Sequence, residues 1–233
     1  MSIKNFTKQV TKLLVIGLLF SANSATATLL TFANGGFEGF TGVTNTWNSE
    51  VPPGWTQTNG SPDVFDENTD IAGFVWGASS TGGDFLHGIG WQPTWTESAQ
   101  QLGLSGLVIG QQYEISFEQS IANSSWSTTG GFWRILFGSE SQDSALMTLP
   151  TAGTFDGWNW QTMLFTATST TQSLTVSAFS DTDSLRADLG IDSFFIGDPG
   201  TNPENPASIP EPESLALFAF GLIGLLIRRK RAI

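Results

Sequence analysis

The sequence predicts an all-β sandwich held between two terminal segments of different character. Three observations carry this. From Leu29 to Gly197 no window of eleven or more residues sustains a helical period of apolar positions. Short apolar stretches recur there between clusters of Gly, Asn, Ser and Thr, as they do in sandwiches built from many short strands. One stretch, Tyr113-Glu114-Ile115-Ser116-Phe117-Glu118, alternates strictly and puts Tyr113, Ile115 and Phe117 on one face of a strand.

The elements follow in chain order. Residues 1–27 form a secretory signal peptide: Lys4, Lys8 and Lys12 give a cationic start, Leu13 to Phe20 an apolar core, and Ala25-Thr26-Ala27 a small-x-small cleavage site. The sandwich domain spans 28–197. Its expected first strand is Leu29 to Ala33, closed by an Asn34-Gly35-Gly36 turn whose glycines can take positive φ. Further strands are expected at Phe132 to Phe137, Trp158 to Ala167, Leu174 to Phe179 and Leu189 to Ile196. Residues 198–209 are a linker, because DPGTNPENPAS holds three prolines and no large apolar residue, so it is expected to be extended and solvated. The tail, 210–233, joins Pro210-Glu211-Pro212 to an apolar run, Leu215 to Ile227, and four cations, Arg228, Arg229, Lys230 and Arg231.

Charge and composition exclude whole classes of function. Between Thr28 and Ile209 only Arg134 and Arg186 stand against nineteen Asp and Glu residues, a balance of about −17. Phosphate binding needs clustered Lys and Arg, so nucleic acid is excluded as a partner. The chain has no cysteine, which removes disulfides, thiolate zinc sites and cysteine nucleophiles, and its one histidine, His87, rules out a multi-histidine metal site within one chain. Nothing singles out a pair of carboxylates for glycoside hydrolysis, and His87 in DFLHGIGW has no G-x-S-x-G partner. A histidine satisfied by local backbone is the expectation. No catalytic residue is assigned.

Asn34-Gly35-Gly36-Phe37-Glu38, Pro53-Gly54-Trp55, Gly106-x-x-x-Gly110-x-x-Tyr113 and Gly190-Ile191-Asp192 occur in that order. Together they resemble the galactose-binding-like jelly rolls, the fold shared by many carbohydrate-binding modules, and so imply a jelly-roll β-sandwich. Phe37, Trp55 and Tyr113 are expected in its core. The resemblance also implies a structural calcium, held by the acid after the first turn and an Asp of the last strand, here Glu38 and Asp192. Oxygen donors suit calcium; the alternative is that both carboxylates cap turns or accept backbone bonds. Asp63, Asp66, Glu67 and Asp70 lack EF-hand spacing and are expected in a solvated acidic loop. Asp181 and Asp183 belong to a surface hairpin with Arg186 close enough to pair with them.

Nine tryptophans raise the question of sugar stacking. Trp55, Trp133, Trp158 and Trp160 lie on or beside strand patterns and are expected to pack. Trp91, Trp95 and Trp126 lie among turn formers and are the candidates for an exposed glycan platform; the alternative for them is burial, the usual fate of Trp.

The tail answers to a second resemblance. Its apolar run rises about 20 Å as a helix, short of the roughly 30 Å hydrocarbon core, and the basic stop favours the cytoplasmic side. Pro210-Glu211-Pro212, the short apolar helix and Arg228 to Arg231 resemble the PEP-CTERM sorting signal of Gram-negative bacteria. That resemblance implies recognition by exosortase, a membrane protease-transpeptidase, and a course from inner-membrane-anchored precursor to periplasm, cell surface or extracellular matrix. The reading is an exported, non-catalytic envelope or matrix protein associated with exopolysaccharide or biofilm. The alternatives are a glycan-binding module using the loop tryptophans and, ranked last, an enzyme acting on polysaccharide.

Overall fold

The computed structural model describes residues 30–202, which form thirteen β-strands and no helix. In order they are β1 (Thr56–Asn59), β2 (Asp63–Asp66), β3 (Asp70–Ile71), β4 (Phe74–Val75), β5 (Asp84–Trp91), β6 (Trp95–Thr96), β7 (Ser98–Ser105), β8 (Gln112–Ile121), β9 (Gly131–Phe137), β10 (Glu140–Asp143), β11 (Asn159–Thr166), β12 (Thr171–Ser180) and β13 (Ala187–Gly197). One sheet runs β1-β7-β12-β9-β10; the other runs β11-β8-β13-β5-β2 with β6 added to β5. From β7 onward the chain passes back and forth between the sheets, except at the β9–β10 hairpin, and the pairings are antiparallel. This is a jelly-roll β-sandwich, as expected.

The core lies between the sheets. Leu86 of β5, Ile115 and Phe117 of β8, Trp133, Ile135 and Phe137 of β9, Leu174 and Val176 of β12 and Leu189 and Ile191 of β13 pack there with almost no exposure. Trp133 ties the layers together, since its indole Nε1 donates to the carbonyl of Gly190 at 3.0 Å. Phe37, Trp55 and Tyr113 belong to the same core.

The two sheets differ on their outer faces. Strands β9 and β12 alternate buried and half-buried residues, the pattern of a sheet with one wet face. Strands β5, β8 and β13 are buried on both faces. Their outer face is covered by a second aromatic cluster, Phe65, Phe74, Trp76 and Phe85, with Trp158 packed against it.

Three local expectations are corrected. The described part of Leu29–Ala33 is not a strand: the Ala33 amide goes to the side chain of Gln101 at 3.0 Å instead of a ladder. The turn at Asn34-Gly35-Gly36 is present, but positive φ falls on Phe37, at 56°, and Gly35 is required for another reason. A Cβ there would lie 2.3 Å from the carbonyl oxygen of Phe194, because the turn is pinned against β13. Residues 198–202, the start of the expected solvated linker, pack onto the second sheet, where Gly200 donates to Glu114 and Asn202 to Ser116. The other face of the alternating stretch is covered as well, since Glu114, Ser116 and Glu118 are buried. The signal peptide, the rest of the linker and the sorting tail lie outside the described residues.

Candidate functional site

The outer face of β5 carries Phe85, His87 and Ile89, because its inner positions are Leu86 and two glycines. At Gly88 a Cβ would meet Trp133, and at Gly90 the backbone of Phe179. His87 faces Asp63 in register across the β2–β5 ladder. It is fully buried, with its ring stacked on Phe65 at 4.5 Å and 5°. Its Nδ1 lies 3.5 Å from Asp63 Oδ2 and its Nε2 lies 3.3 Å from Asp188 Oδ1. The local-backbone expectation for His87 therefore fails, and so does the solvated loop for Asp63, which is buried in β2. Charge opposite charge across a ladder, beneath an aromatic cover, explains why both could leave water.

The cluster extends to both sides. Arg186 pairs with Asp188 through Nε and Nη2, the latter at 2.5 Å, and not with Asp181 or Asp183 as expected. Arg186 immediately precedes β13 and Asp188 is its second residue, so extended backbone with a period of two brings the two side chains to one side. Glu97, buried between β6 and β7, accepts from the Ile89 amide at 2.8 Å and from the amide and hydroxyl of Ser61. Burial raises the pKa of Glu97, with the His87 charge working against it. Burial alone would lower that of His87, but the contact with Asp188 and the charges of Asp188 and Asp63 outweigh it and push the imidazole up to about 9. Burial alone would raise Asp188, but hydrogen bonds and charge from His87 and Arg186 hold it below the usual carboxylate range.

Above this cluster opens a cleft of about 230 Å³ with Trp47, Trp95 and Trp126 in its walls and Asp63, Glu97 and Arg186 among its polar lining. The three indoles are 38%, 41% and 47% exposed. Trp47 and Trp126 stack at 5.6 Å and 22°, and the Arg186 guanidinium lies 5.3 Å from the Trp126 ring. Trp91 is set apart from the cleft. It meets Trp95 edge-on at 5.3 Å and donates to the carbonyl of Ser184, so it buttresses Trp95. Of the three tryptophans proposed from the sequence, Trp95 and Trp126 thus share one cleft and Trp91 supports it. Trp47, Asp63, Glu97 and Arg186 were missed. Only the loop setting of Trp47, in NTWNS, could have marked it.

Glu38 and Asp192 hold different ends of the segment 79–84. Glu38 accepts from the Asp84 amide at 3.1 Å, and burial together with the Asp84 and Glu67 charges raises its pKa. Asp192 accepts from the Ser79 and Thr81 hydroxyls and from the Ser193 amide. A register shift in β13 between Asp192 and Phe195 aims both Asp192 and Ser193 toward this segment. Burial pushes the Asp192 carboxyl well up, and Glu118, directly opposite it in β8, adds to the shift.

Solved structures similar to this chain are distant. The enzymatically active domain of bacteriophage CBA120 tailspike protein 4 is 12% identical over 72% of this chain, with a TM-score of 0.41; the chain spans 21% of that protein's length. TmCBM61 in complex with β-1,4-galactotriose is 14% identical over 72% of this chain and 98% of its own, at a TM-score of 0.38. The CBM22-1 xylan-binding domain of Paenibacillus barcinonensis Xyn10C is 16% identical over 70% and 90%, at 0.41. No curated protein matches the sequence. Residues 208–231, which hold Pro210-Glu211-Pro212 and Arg228 to Arg231, match the PEP-CTERM protein-sorting motif.

Proposed function

We propose that the chain is an exported, exosortase-sorted, non-catalytic protein of the envelope or extracellular matrix, and that its sandwich binds glycan in the Trp47–Trp95–Trp126 cleft. The observation that carries the binding reading is the convergence of three partly exposed indoles from separate segments over a polar floor. Ligand sites join apolar and aromatic walls to a few placed polar groups. A pyranose presents C–H groups to an indole face and hydroxyls to carboxylates and a guanidinium, and this cleft offers both. The sorting motif supports export, and the glycan we propose is a matrix polysaccharide. Structural calcium at Glu38 and Asp192 remains part of the proposal, supported by the carboxylate oxygens that both residues bring to the segment 79–84.

A glycan array probed with the purified full-length chain, followed by titration of a hit against tryptophan fluorescence, tests the binding reading. Trp95→Ala and Trp126→Ala should each weaken binding tenfold or more, about 1.4 kcal/mol, while circular dichroism stays unchanged. Binding that is indifferent to both substitutions would move the site elsewhere. No glycan bound at millimolar concentration would leave the matrix role without this activity.

A further inference from the structure

The floor of the cleft holds more than a hydrophilic contact surface. Asp63, His87 and Glu97 each present one ligand-type atom within 4.8 Å of the others, and all three are buried. Carboxylates buried together are costly unless a positive charge compensates them, and the source of that charge decides what the cluster is. Two arrangements are available. The imidazole can carry both protons and serve as the cation itself, or it can be neutral and share the carboxylates with a metal ion.

Without an ion the imidazole is itself the cation, and the hydrogen bonding marks the nitrogen at which an ion would take the proton's place. A doubly protonated imidazole has two N–H groups to satisfy, yet His87 Nδ1 has no hydrogen-bond partner although it is fully buried. Its 3.5 Å separation from Asp63 is an ion-pair distance, longer than a hydrogen bond. On the other side, Nε2 meets Asp188, which Arg186 fixes through three contacts. A carboxylate that accepts from one ring nitrogen sets the tautomer and turns the lone pair of the other nitrogen outward, the arrangement that supports a metal-bound histidine. Here that nitrogen lies 3.5 Å from Asp63 Oδ2, in the cluster to which Glu97 adds a carboxylate oxygen.

We propose that Asp63, His87 Nδ1 and Glu97 bind one divalent transition-metal ion at the base of the cleft, with Asp188 and Arg186 as positioning residues. One imidazole and two carboxylates suit zinc, manganese or iron(II) better than calcium, which takes six to eight oxygens. With a neutral imidazole the group Asp63, Glu97, Asp188 and Arg186 carries two negative charges in excess, which one divalent ion cancels. Asp63 and Glu97 also line the cleft, so the remaining coordination positions belong to water or to a hydroxyl that enters from it. The assignment stands independently of glycan binding and needs no sugar to be tested.

The single histidine makes the test direct. The full-length chain, produced without a histidine tag and stripped with chelator, is titrated with Zn²⁺ by calorimetry and by imidazole ¹⁵N NMR. One equivalent of Zn²⁺ should bind, the one imidazole signal set should move to that of a metal-bound Nδ1 with Nε2–H retained, and the unfolding temperature should rise. Glu97→Gln, which keeps the acceptor for the Ile89 amide, should weaken Zn²⁺ at least tenfold without changing circular dichroism. His87→Gln should do the same, and if it fails to fold, the Glu97→Gln and NMR results decide alone. An imidazole signal unmoved by Zn²⁺, or full affinity in Glu97→Gln, would overturn the proposal and leave His87 as a buried imidazolium. Zn²⁺ binding with no response to any glycan would uphold the metal site and count against the glycan reading only.

Discussion

The two sheets of this sandwich share one core and differ in what lies behind them. The β1-β7-β12-β9-β10 sheet turns a half-wet face outward, where Arg134 pairs with Asp143 in the open and lies over Phe179. The β11-β8-β13-β5-β2 sheet turns outward a face that is also buried, and that face collects His87, Asp188, Glu118, Asp192, Ser116 and Ser120. A polar row under cover must be satisfied by partners at fixed positions, because an unpaired polar group away from water costs more than its bond returns. The covered face is therefore where loops, hydroxyls and charges are held in place, and where the candidate sites occur. The wet face has no comparable constraint.

This contrast can be broken from the inside out. The largest effect should come from Trp133→Ala, which empties the space between both sheets and deletes the bond to Gly190. It should cost about 3–5 kcal/mol, measured by urea unfolding. A loss under about 1 kcal/mol would mean that the layers are not jointly held there.

A calcium ion held by Glu38 and Asp192 would stabilise the covered face. An ion binding only the native state at a hundred times its dissociation constant adds about 2.7 kcal/mol, so the unfolding temperature should be higher in millimolar calcium than in chelator. Glu38→Ala and Asp192→Ala should each abolish the gain, and Asp66→Ala should keep it. Equal temperatures with calcium and chelator would reduce both residues to turn carboxylates.

A smaller loss is expected from Asn202→Ala, which removes the donor to the buried Ser116 hydroxyl. A buried group left unpaired costs about 1–3 kcal/mol, and hydrogen exchange should rise first in the Glu114–Glu118 stretch of β8. The smallest belongs to the wet face. Arg134→Ala breaks an ion pair whose side chains are 41% and 43% exposed, and such pairs contribute about 0.2–1 kcal/mol. An Arg134→Ala loss exceeding that of Asn202→Ala would reverse the ranking of the two faces.

The sequence made much of this fold legible because strand alternation and turn residues are local signals. Five of the long strands, β8, β9, β11, β12 and β13, lie where their patterns placed them. Strand β5 was passed over: with Leu86, Gly88 and Gly90 inward and Phe85, His87 and Ile89 outward, both faces are buried and no polar alternation marks it. The site was legible in part for the same reason. Trp95 and Trp126 could be picked out by their turn-forming neighbours, whereas the burial of Asp63 and Glu97 depends on strands far from them in sequence.

By itself, the sequence determined the all-β class, the acidic domain without cysteine, and a C-terminal segment matching a sorting motif. These follow from composition, short-range periodicity and contiguous residues, which need no partner to be read. Only the tertiary structure decided that the outer face of one sheet is dry, that Arg186 serves Asp188, and that His87 stands between Asp63 and Asp188 beside Glu97 beneath a tryptophan cleft. Those pairings join residues up to 101 positions apart, and a charged side chain carries no local mark of whether water or another charge will face it.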